Sequence, residues 1–297
     1  MIGYDWDTGK IFWKIEHKYV VCQGVSYDNN VLRATCGSVV AKITPHRVFV
    51  RKIEGRYNAQ THGIHLIDRD TYGVADIGNA RVIIYSRETD QVVNYLCSVS
   101  HWGNPLPEDV LHMNDFVATP FGILATAFNH RPWRSVRERI SVERWFNLDG
   151  DGRETGERVV GTGLTHPHTL HYIDPYVYVL SASKSLFHIF ELNPSSQTLV
   201  EKTRIRIADS FWLRGSCCIG GQYDNTWYFG GIRSKYLLDV NNRQKQGDLS
   251  IFRMSKMFQI EEKKVGINGS IFDVLPWKDN VMNPIVQYYE RVKQDRK

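Results

Sequence analysis

A short polar motif recurs along the chain and concentrates side chains that could do chemistry. In each copy a first residue, usually polar, is followed three positions later by a second, next to an apolar strand. The six copies are Cys22/Val25, His62/His65, His112/Asp115, His168/His171, Arg214/Cys217 and Ser270/Asp273. Imidazoles ligate divalent metals, and imidazole and carboxyl groups transfer protons near neutral pH. The motif therefore indicates a metal site or acid–base chemistry.

The copies recur at the length of one structural repeat. Their first residues lie at positions 22, 62, 112, 168, 214 and 270, which are 40, 50, 56, 46 and 56 residues apart. Segments of alternating apolar and polar residues, joined by polar turns, follow most copies, as antiparallel strands require. A period of about 40 to 50 residues is that of a four-stranded propeller blade. The sequence predicts an all-β fold, a single β-propeller domain over residues 1–297, with about six four-stranded blades and five or seven as alternatives.

The two ends of the chain share the last blade in this prediction. Only one strand of that blade follows Ser270, and the segment Lys10–Ile15 has no blade of its own. Placing both in one blade would close the ring and remove an open sheet edge. Helical periodicity is confined to Pro284–Val292, which is predicted to form a terminal helix.

The first residues of the motif predict a ring of imidazoles, because equivalent positions of successive blades face one another across a propeller channel. His62, His112 and His168 could bind Zn²⁺, Mn²⁺ or Fe²⁺ and leave positions open for water or substrate, with His166 as a fourth ligand. Two alternatives stay open. One is a metal-free acid–base or substrate-binding site, and the other is a set of imidazoles that only tie neighbouring blades together.

The second residues of the motif form another predicted ring, in which His65, Asp115, His171 and Asp273 are candidate catalytic groups. Asp115 and His171 would orient metal ligands or act as a general base. Residues three apart point to opposite faces of an ideal strand. One of the two rings would then pack between the blades instead of facing the channel.

Arg214 stands in the first ring as a planar and permanently charged donor. It would hold a carboxylate, sulfate or phosphate group of the ligand, so it joins the candidate catalytic residues. A salt bridge to Asp115 or Asp273 is the structural alternative.

The acidic segment Asn147–Gly152 resembles the first half of an EF-hand calcium loop. The twelfth position of such a loop needs a glutamate, and here it is Arg158. The segment is therefore predicted to be an acidic turn between the third and fourth strands of a blade.

Composition restricts the partners and the compartment. The 37 basic and 32 acidic residues give a net charge of +5, and the basic residues are scattered, which argues against a nucleic-acid partner. The sequence has neither a signal-peptide pattern nor an apolar run that would span a membrane. Five cysteines without CxxC spacing predict reduced thiols and a cytoplasmic protein. A small-molecule or saccharide ligand is the expected partner, and the oligomeric state is left open.

Five short segments resemble a family of uncharacterised bacterial propeller proteins. They are His62–His65, His112–Asp115, His166–His168, Leu213–Gly215 and Ile271–Val274. The resemblance implies a propeller with a site at these segments, and it implies no activity. The architecture is also loosely similar to that of gluconolactonase-like six-bladed propellers. Their metal sites are rich in acids and amides, and the histidine-rich ring departs from that pattern.

The expected function is that of a metal-dependent enzyme, a hydrolase, lyase or related activity. Its ligand would be a polar, anionic small molecule or saccharide in the channel, and Zn²⁺, Mn²⁺ or Fe²⁺ would be its cofactor. The alternatives are a metal-free acid–base enzyme and a non-catalytic propeller that binds a glycan or a protein. Neither the substrate nor the reaction follows from the sequence.

Overall fold

The computed structural model describes most of the chain. The described residues are 2–14, 22–29, 31–54, 61–79, 81–97, 113–128, 141–148, 154–160, 164, 166–193, 195–196, 198–220, 225–233, 247–269 and 273–294. His112 and Ser270 lie outside them, and so do Asp149 and Asp151 of the acidic turn.

The described strands form five four-stranded sheets and one two-stranded sheet. The two-stranded sheet consists of β1 (Ile2–Asp5) and β2 (Lys10–Lys14). The first four-stranded sheet consists of β3 (Cys22–Asp28), β4 (Val31–Cys36), β5 (Val39–Ile43) and β6 (Val48–Lys52). The second consists of β7 (Thr61–Leu66), β8 (Thr71–Asp76), β9 (Arg81–Ser86) and β10 (Val92–Cys97). The third consists of β11 (Met113–Thr119), β12 (Gly122–Phe128), β13 (Ser141–Leu148) and β14 (Glu154–Val160). The fourth consists of β15 (Pro167–Ile173), β16 (Tyr176–Ser181), β17 (Leu186–Asn193) and β18 (Thr198–Arg206). The fifth consists of β19 (Phe211–Ile219), β20 (Thr226–Arg233), β21 (Gly247–Met254) and β22 (Ile260–Gly269).

Each four-stranded sheet is an antiparallel meander, in which every strand pairs with the next along the chain. The first strands of the sheets, β3, β7, β11, β15 and β19, neighbour one another in that order, and we call them the inner strands. Apolar side chains fill the space between adjacent sheets. Ile84 of the second sheet packs with Phe116 of the third, and Phe187 of the fourth packs with Phe229 of the fifth. This radial stack of sheets confirms the predicted all-β, propeller-like architecture.

The N-terminal strands and the segment after Asp273 pack against each other. Asp273 lies between the fifth sheet and the first, since its Cα packs on Gly215 and its Oδ2 accepts a hydrogen bond from Val25 N. Farther along, the Trp277 ring lies edge-on to the Phe12 ring of β2, with 4.6 Å between centroids. The described residues thus do not form the six four-stranded blades that the sequence predicted.

The strand predicted at Lys10–Ile15 is found as β2. It pairs with β1, and through Phe12 it packs beside the C-terminal segment with which it was predicted to share a blade. The predicted terminal helix is also found, and it is longer than expected: α1 covers Asp279–Gln294. Its residues Val281, Met282 and Ile285 are buried against the first sheet.

The cysteines do not all follow the prediction. Cys22 and Cys36 face each other on β3 and β4 and form a disulfide, so the prediction that every thiol is reduced is wrong at this pair. The two cysteines are 14 residues apart in the sequence and do not form a CxxC motif, so the sequence alone did not indicate that they are opposite each other on paired strands. Cys217 and Cys218 are free. Within the described residues no helix has the length and apolar content to cross a bilayer.

The two strands that flank the acidic segment are neighbours in the third sheet. β13 ends at Leu148 and β14 begins at Glu154, and the two strands pair antiparallel. They are the third and fourth strands of their sheet, as predicted for the strands flanking this turn.

Candidate functional site

Every inner strand is interrupted by a β-bulge at the recurring motif. The pairing register shifts between Cys22 and Gly24, Thr61 and Ile64, Met113 and Asp115, His168 and Leu170, and Leu213 and Gly215. An extra residue in one strand reverses the alternation of side chains beyond it. Residues three apart across the bulge therefore lie on the same face of the strand. The expectation that residues three apart point to opposite faces therefore does not hold across a bulge.

The bulges also change which residues are equivalent. The bulge contains Gln23 in β3, Asn114 in β11, Thr169 in β15 and Arg214 in β19. His168 and Arg214 were predicted to be equivalent, but His168 lies just before the bulge of its strand and Arg214 lies within the bulge of its own. The motif columns predicted from the sequence are thus offset by one or two residues between blades, although they mark the right part of each inner strand.

His65 and Asp115 form a direct contact between the second and third sheets. His65 Nε2 lies 2.6 Å from Asp115 Oδ1. The other oxygen, Asp115 Oδ2, accepts a hydrogen bond of 2.7 Å from Leu170 N of the fourth sheet. Asp115 is buried, whereas 25% of the His65 side chain is exposed, so the imidazole is the accessible member of the pair. Burial opposes the charged form of His65, but the charge and hydrogen bond of Asp115 outweigh it and raise the pKa of His65.

His171 has the opposite electrostatic environment. Its Nε2 lies 3.0 Å from Ser216 Oγ and 3.1 Å from Ser216 O, on the inner strand of the next sheet. Its ring also meets the Trp227 ring edge-on, at 5.1 Å between centroids. Burial, reinforced by His65, lowers the pKa of His171 to about 4. This imidazole is therefore neutral at neutral pH.

Asp273 is the second carboxyl group of the site. Its Oδ2 accepts a hydrogen bond of 3.0 Å from Val25 N, and its Oδ1 accepts one of 2.8 Å from Val274 N. Burial raises the pKa of Asp273 to about 7, although the hydrogen bond from Val25 and the charge of His65 work against it. The carboxyl group is therefore partly protonated at neutral pH.

Two imidazoles and two carboxyl groups thus form one unit, which we call the four-residue cluster: His65, Asp115, His171 and Asp273. The charge of Asp273 contributes to the pKa of His65, and His65 in turn contributes to that of His171. Ser216 contacts this cluster through His171. The sequence motif did not identify Ser216, because the predicted site residue there was its neighbour Cys217. Only the pairing across two blades identifies it.

The predicted metal ligands are brought together in part. The rings of His62 and His168 face each other, with centroids 6.1 Å apart and planes 30° apart. His166 instead places its Nδ1 2.9 Å from Ser183 Oγ and its ring 5.1 Å from that of Trp212. His112 lies outside the described residues. No group of three His, Cys, Asp or Glu side chains that could hold a metal occurs in the part of the chain that the structure describes.

Arg214 lies in the bulge of β19 and is partly buried. Its carbonyl oxygen accepts a hydrogen bond from Thr169 Oγ1, which links the fourth and fifth sheets. Its guanidinium lies 6.0 Å from the centre of the Trp212 ring. Burial lowers the pKa of Arg214 to about 10, which still leaves a full positive charge at neutral pH.

Comparison with known proteins supports the fold. No protein-family model matches the chain, and no curated protein is significantly similar to it in sequence. A protein of unknown function from Bacteroides caccae superposes with a TM-score of 0.60 at 12% identity, covering 91% of this chain and 89% of that one.

Two further solved structures carry functional descriptions. A catalytically inactive histidine-to-alanine variant of virginiamycin B lyase from Staphylococcus aureus, in complex with quinupristin, gives a TM-score of 0.53 at 12% identity over 86% and 88% of the chains. Regucalcin, a calcium-binding protein from Agrobacterium tumefaciens, gives 0.51 at 10% over 82% and 73%. At these identities the similarity confirms the propeller fold alone, and the short motifs of the resembled family stay a prediction.

Proposed function

We propose that the protein is an enzyme that works by general acid–base catalysis at the four-residue cluster in its central channel. The observation that carries this proposal is the divergence of proton affinities within one cluster: His171 is held neutral, while Asp273 is held partly protonated. Paired titratable groups whose environments separate their pKa values are the usual mark of an acid and its base.

Each group has a role in this proposal. His171 is the general base, because its lowered pKa keeps it neutral at neutral pH; in the tautomer whose Nε2 donates to the Ser216 carbonyl, Nδ1 would accept the proton. Asp273 is the general acid, which delivers a proton to the leaving group. His65, held by Asp115 through the 2.6 Å contact, is an accessible imidazole whose raised pKa favours the charged form, and that form would stabilise negative charge developing on the substrate.

The proposed substrate is a polar, anionic small molecule or saccharide. Arg214 supplies a permanent positive charge on the same inner strand as Ser216, two residues away. An anionic group held there would place the rest of the molecule beside His171 and Asp273. The proposed reaction class is elimination or hydrolysis, since both need a base and an acid on one substrate. The fold similarity to a lyase whose histidine variant is described as inactive favours elimination.

A divalent metal ion is the second candidate, and the approach of His62 to His168 favours it. In that case Zn²⁺, Mn²⁺ or Fe²⁺ would polarise the substrate, and His112 would be the third ligand. Elemental analysis of purified protein distinguishes the two candidates. Stoichiometric metal, lost together with activity on chelation, would support the second candidate against the first.

The acid–base proposal is tested by screening anionic small molecules and oligosaccharides for turnover, with product masses measured by mass spectrometry. We expect a product that is lost in His171→Gln and Asp273→Asn but persists in chelator. A turnover that survives in both variants would place the reaction elsewhere.

A further inference from the structure

Two glycines of the inner strands lie where the two carboxyl groups of the cluster reach their positions. A Cβ atom at Gly63 of β7 would overlap Asp115 Oδ1 and lie 2.9 Å from its Cγ and 3.2 Å from its Cα. A Cβ atom at Gly215 of β19 would overlap Asp273 Cα and lie 2.6 Å from Val274 N. Contacts under about 3 Å do not occur for real Cβ atoms, so either side chain would displace an acidic residue.

The two glycines meet different parts of their acidic residues. Gly63 lies against the carboxyl group of Asp115, which accepts its hydrogen bond from Leu170 N of the following sheet. Gly215 lies against the backbone of Asp273, whose carboxyl group accepts its hydrogen bond from Val25 N of the following sheet. In both regions an aspartate thus packs on a glycine of one inner strand and bonds to the backbone of another.

This arrangement does not require a left-handed backbone. The φ angles of Gly63 and Gly215 are not positive, unlike those of Gly37 and Gly266. Backbone conformation therefore does not call for glycine at either position, and the close approach of an acidic residue does.

We propose that Gly63 and Gly215 are positioning residues of the active site. Gly63 leaves room for the carboxyl group of Asp115, and Gly215 leaves room for the backbone of Asp273, from which its carboxyl group extends. Gly63 allows Asp115 to reach His65, and Gly215 allows Asp273 to reach Val25. The proposal rests on the function proposed above, because it assigns these glycines to the two carboxyl groups of the same cluster.

The test measures the pKa of His65 by NMR titration of its imidazole proton in the full-length protein. In Gly63→Ala the displaced Asp115 no longer holds His65, and we expect the pKa of His65 to fall by about 1. Gly231→Ala of β20 is the matched control, because its Cβ would lie 2.5 Å from Leu213 Cδ2 and so crowds the fifth sheet and not the strand that carries His65. An unchanged pKa of His65 in folded Gly63→Ala overturns the proposal.

A double-mutant cycle covers the case in which Gly63→Ala folds poorly. We expect Gly63→Ala to lower the urea midpoint strongly in the wild-type background and weakly in the Asp115→Ala background, where the carboxyl group is absent. Equal losses in both backgrounds overturn the proposal. Neither readout depends on turnover, so failure of this inference and failure of the proposed activity are distinguishable.

Discussion

The regions around Asp115 and Asp273 are built alike but differ in the residue that faces the carboxyl group. In both, an aspartate packs against a glycine of one inner strand, and its carboxyl group accepts a hydrogen bond from a backbone N–H of another. Two residues after the glycine, the Asp115 region carries His65 and the Asp273 region carries Cys217. An imidazole bonds directly to Asp115. Cys217 is a buried thiol, and burial, with Asp273 adding to it, raises its pKa to about 12.

This difference shows how one fold can give two carboxyl groups different work. The contact with Asp115 favours the charged form of His65 and raises its pKa. The thiol beside Asp273 offers no positive charge, and burial then favours the protonated acid. A buried charge is tolerated beside a partner, and a proton is retained where the partner is missing.

The largest expected effect is that removing Asp115 mainly lowers the stability of the protein, whereas changing Asp273 mainly lowers its activity. Asp115→Ala leaves Leu170 N and His65 without their acceptor, and we expect it to cost about 2 to 4 kcal/mol of unfolding free energy. Asp273→Asn keeps an oxygen acceptor for Val25 N, and we expect a loss of turnover of about 100-fold with a cost under about 1 kcal/mol. Urea denaturation and kinetics on the same variants check both. Equal stability losses would contradict the comparison.

The pH dependence of turnover should show the ionisation of both the proposed base and the proposed acid. The base His171 is neutral above its pKa of about 4, and the acid Asp273 is protonated below its pKa of about 7. The rate should therefore be bell-shaped, with its maximum between these values. A His65→Gln variant should keep the bell shape at a lower rate, with both limbs moved to higher pH, because the charge of His65 lowers the pKa of His171 and of Asp273. A wild-type rate that rises continuously above pH 7 would remove Asp273 as the acid.

Stability should change with pH in opposite directions at these two residues. The pKa of His171 is lower in the folded protein than its ordinary value, so its contribution is lost as pH falls from about 6.5 through about 4. The pKa of Asp273 is raised, so its contribution is present below about pH 4 and is lost as pH rises through about 7. Between pH 7 and 5, His171→Gln should gain about 1 to 2 kcal/mol relative to wild type, and Asp273→Asn should lose a similar amount. Urea midpoints at the two pH values check the signs, and changes of the same sign would refute the assignment.

The smallest expected effect concerns Ser216. Ser216→Ala removes the hydroxyl group 3.0 Å from His171 Nε2 but leaves the carbonyl oxygen at 3.1 Å, so the tautomer of His171 is retained. We expect a rate loss of only about 2- to 5-fold, with an unchanged pH profile. A loss as large as that of Asp273→Asn would assign the hydroxyl group itself to the chemistry.

The sequence was sufficient to locate the inner strands, because polar residues such as His65 and His168 interrupt an apolar repeat at the length of a blade. It was insufficient for the geometry within each strand. A bulge leaves no signature in an alternating pattern. The prediction that His62 and His65 point to opposite faces was therefore made for an ideal strand without a bulge.

Contacts between blades were equally hidden from the sequence. The approach of Asp115 to Gly63 and of His171 to Ser216 joins residues about one blade apart, and nothing local specifies such pairs. The disulfide between Cys22 and Cys36 is a further example, since the pairing of β3 with β4 brings the two cysteines opposite each other.

The most direct test of this account is an NMR titration of the 11 histidines in the intact protein, with His65 and His171 assigned by their glutamine variants. The account predicts that His65 titrates above the ordinary value of about 6.5 and that His171 stays neutral until the pH approaches about 4. If both imidazoles titrate together near 6.5, as exposed histidines do, the cluster holds no separated acid and base, and the proposed catalysis is contradicted.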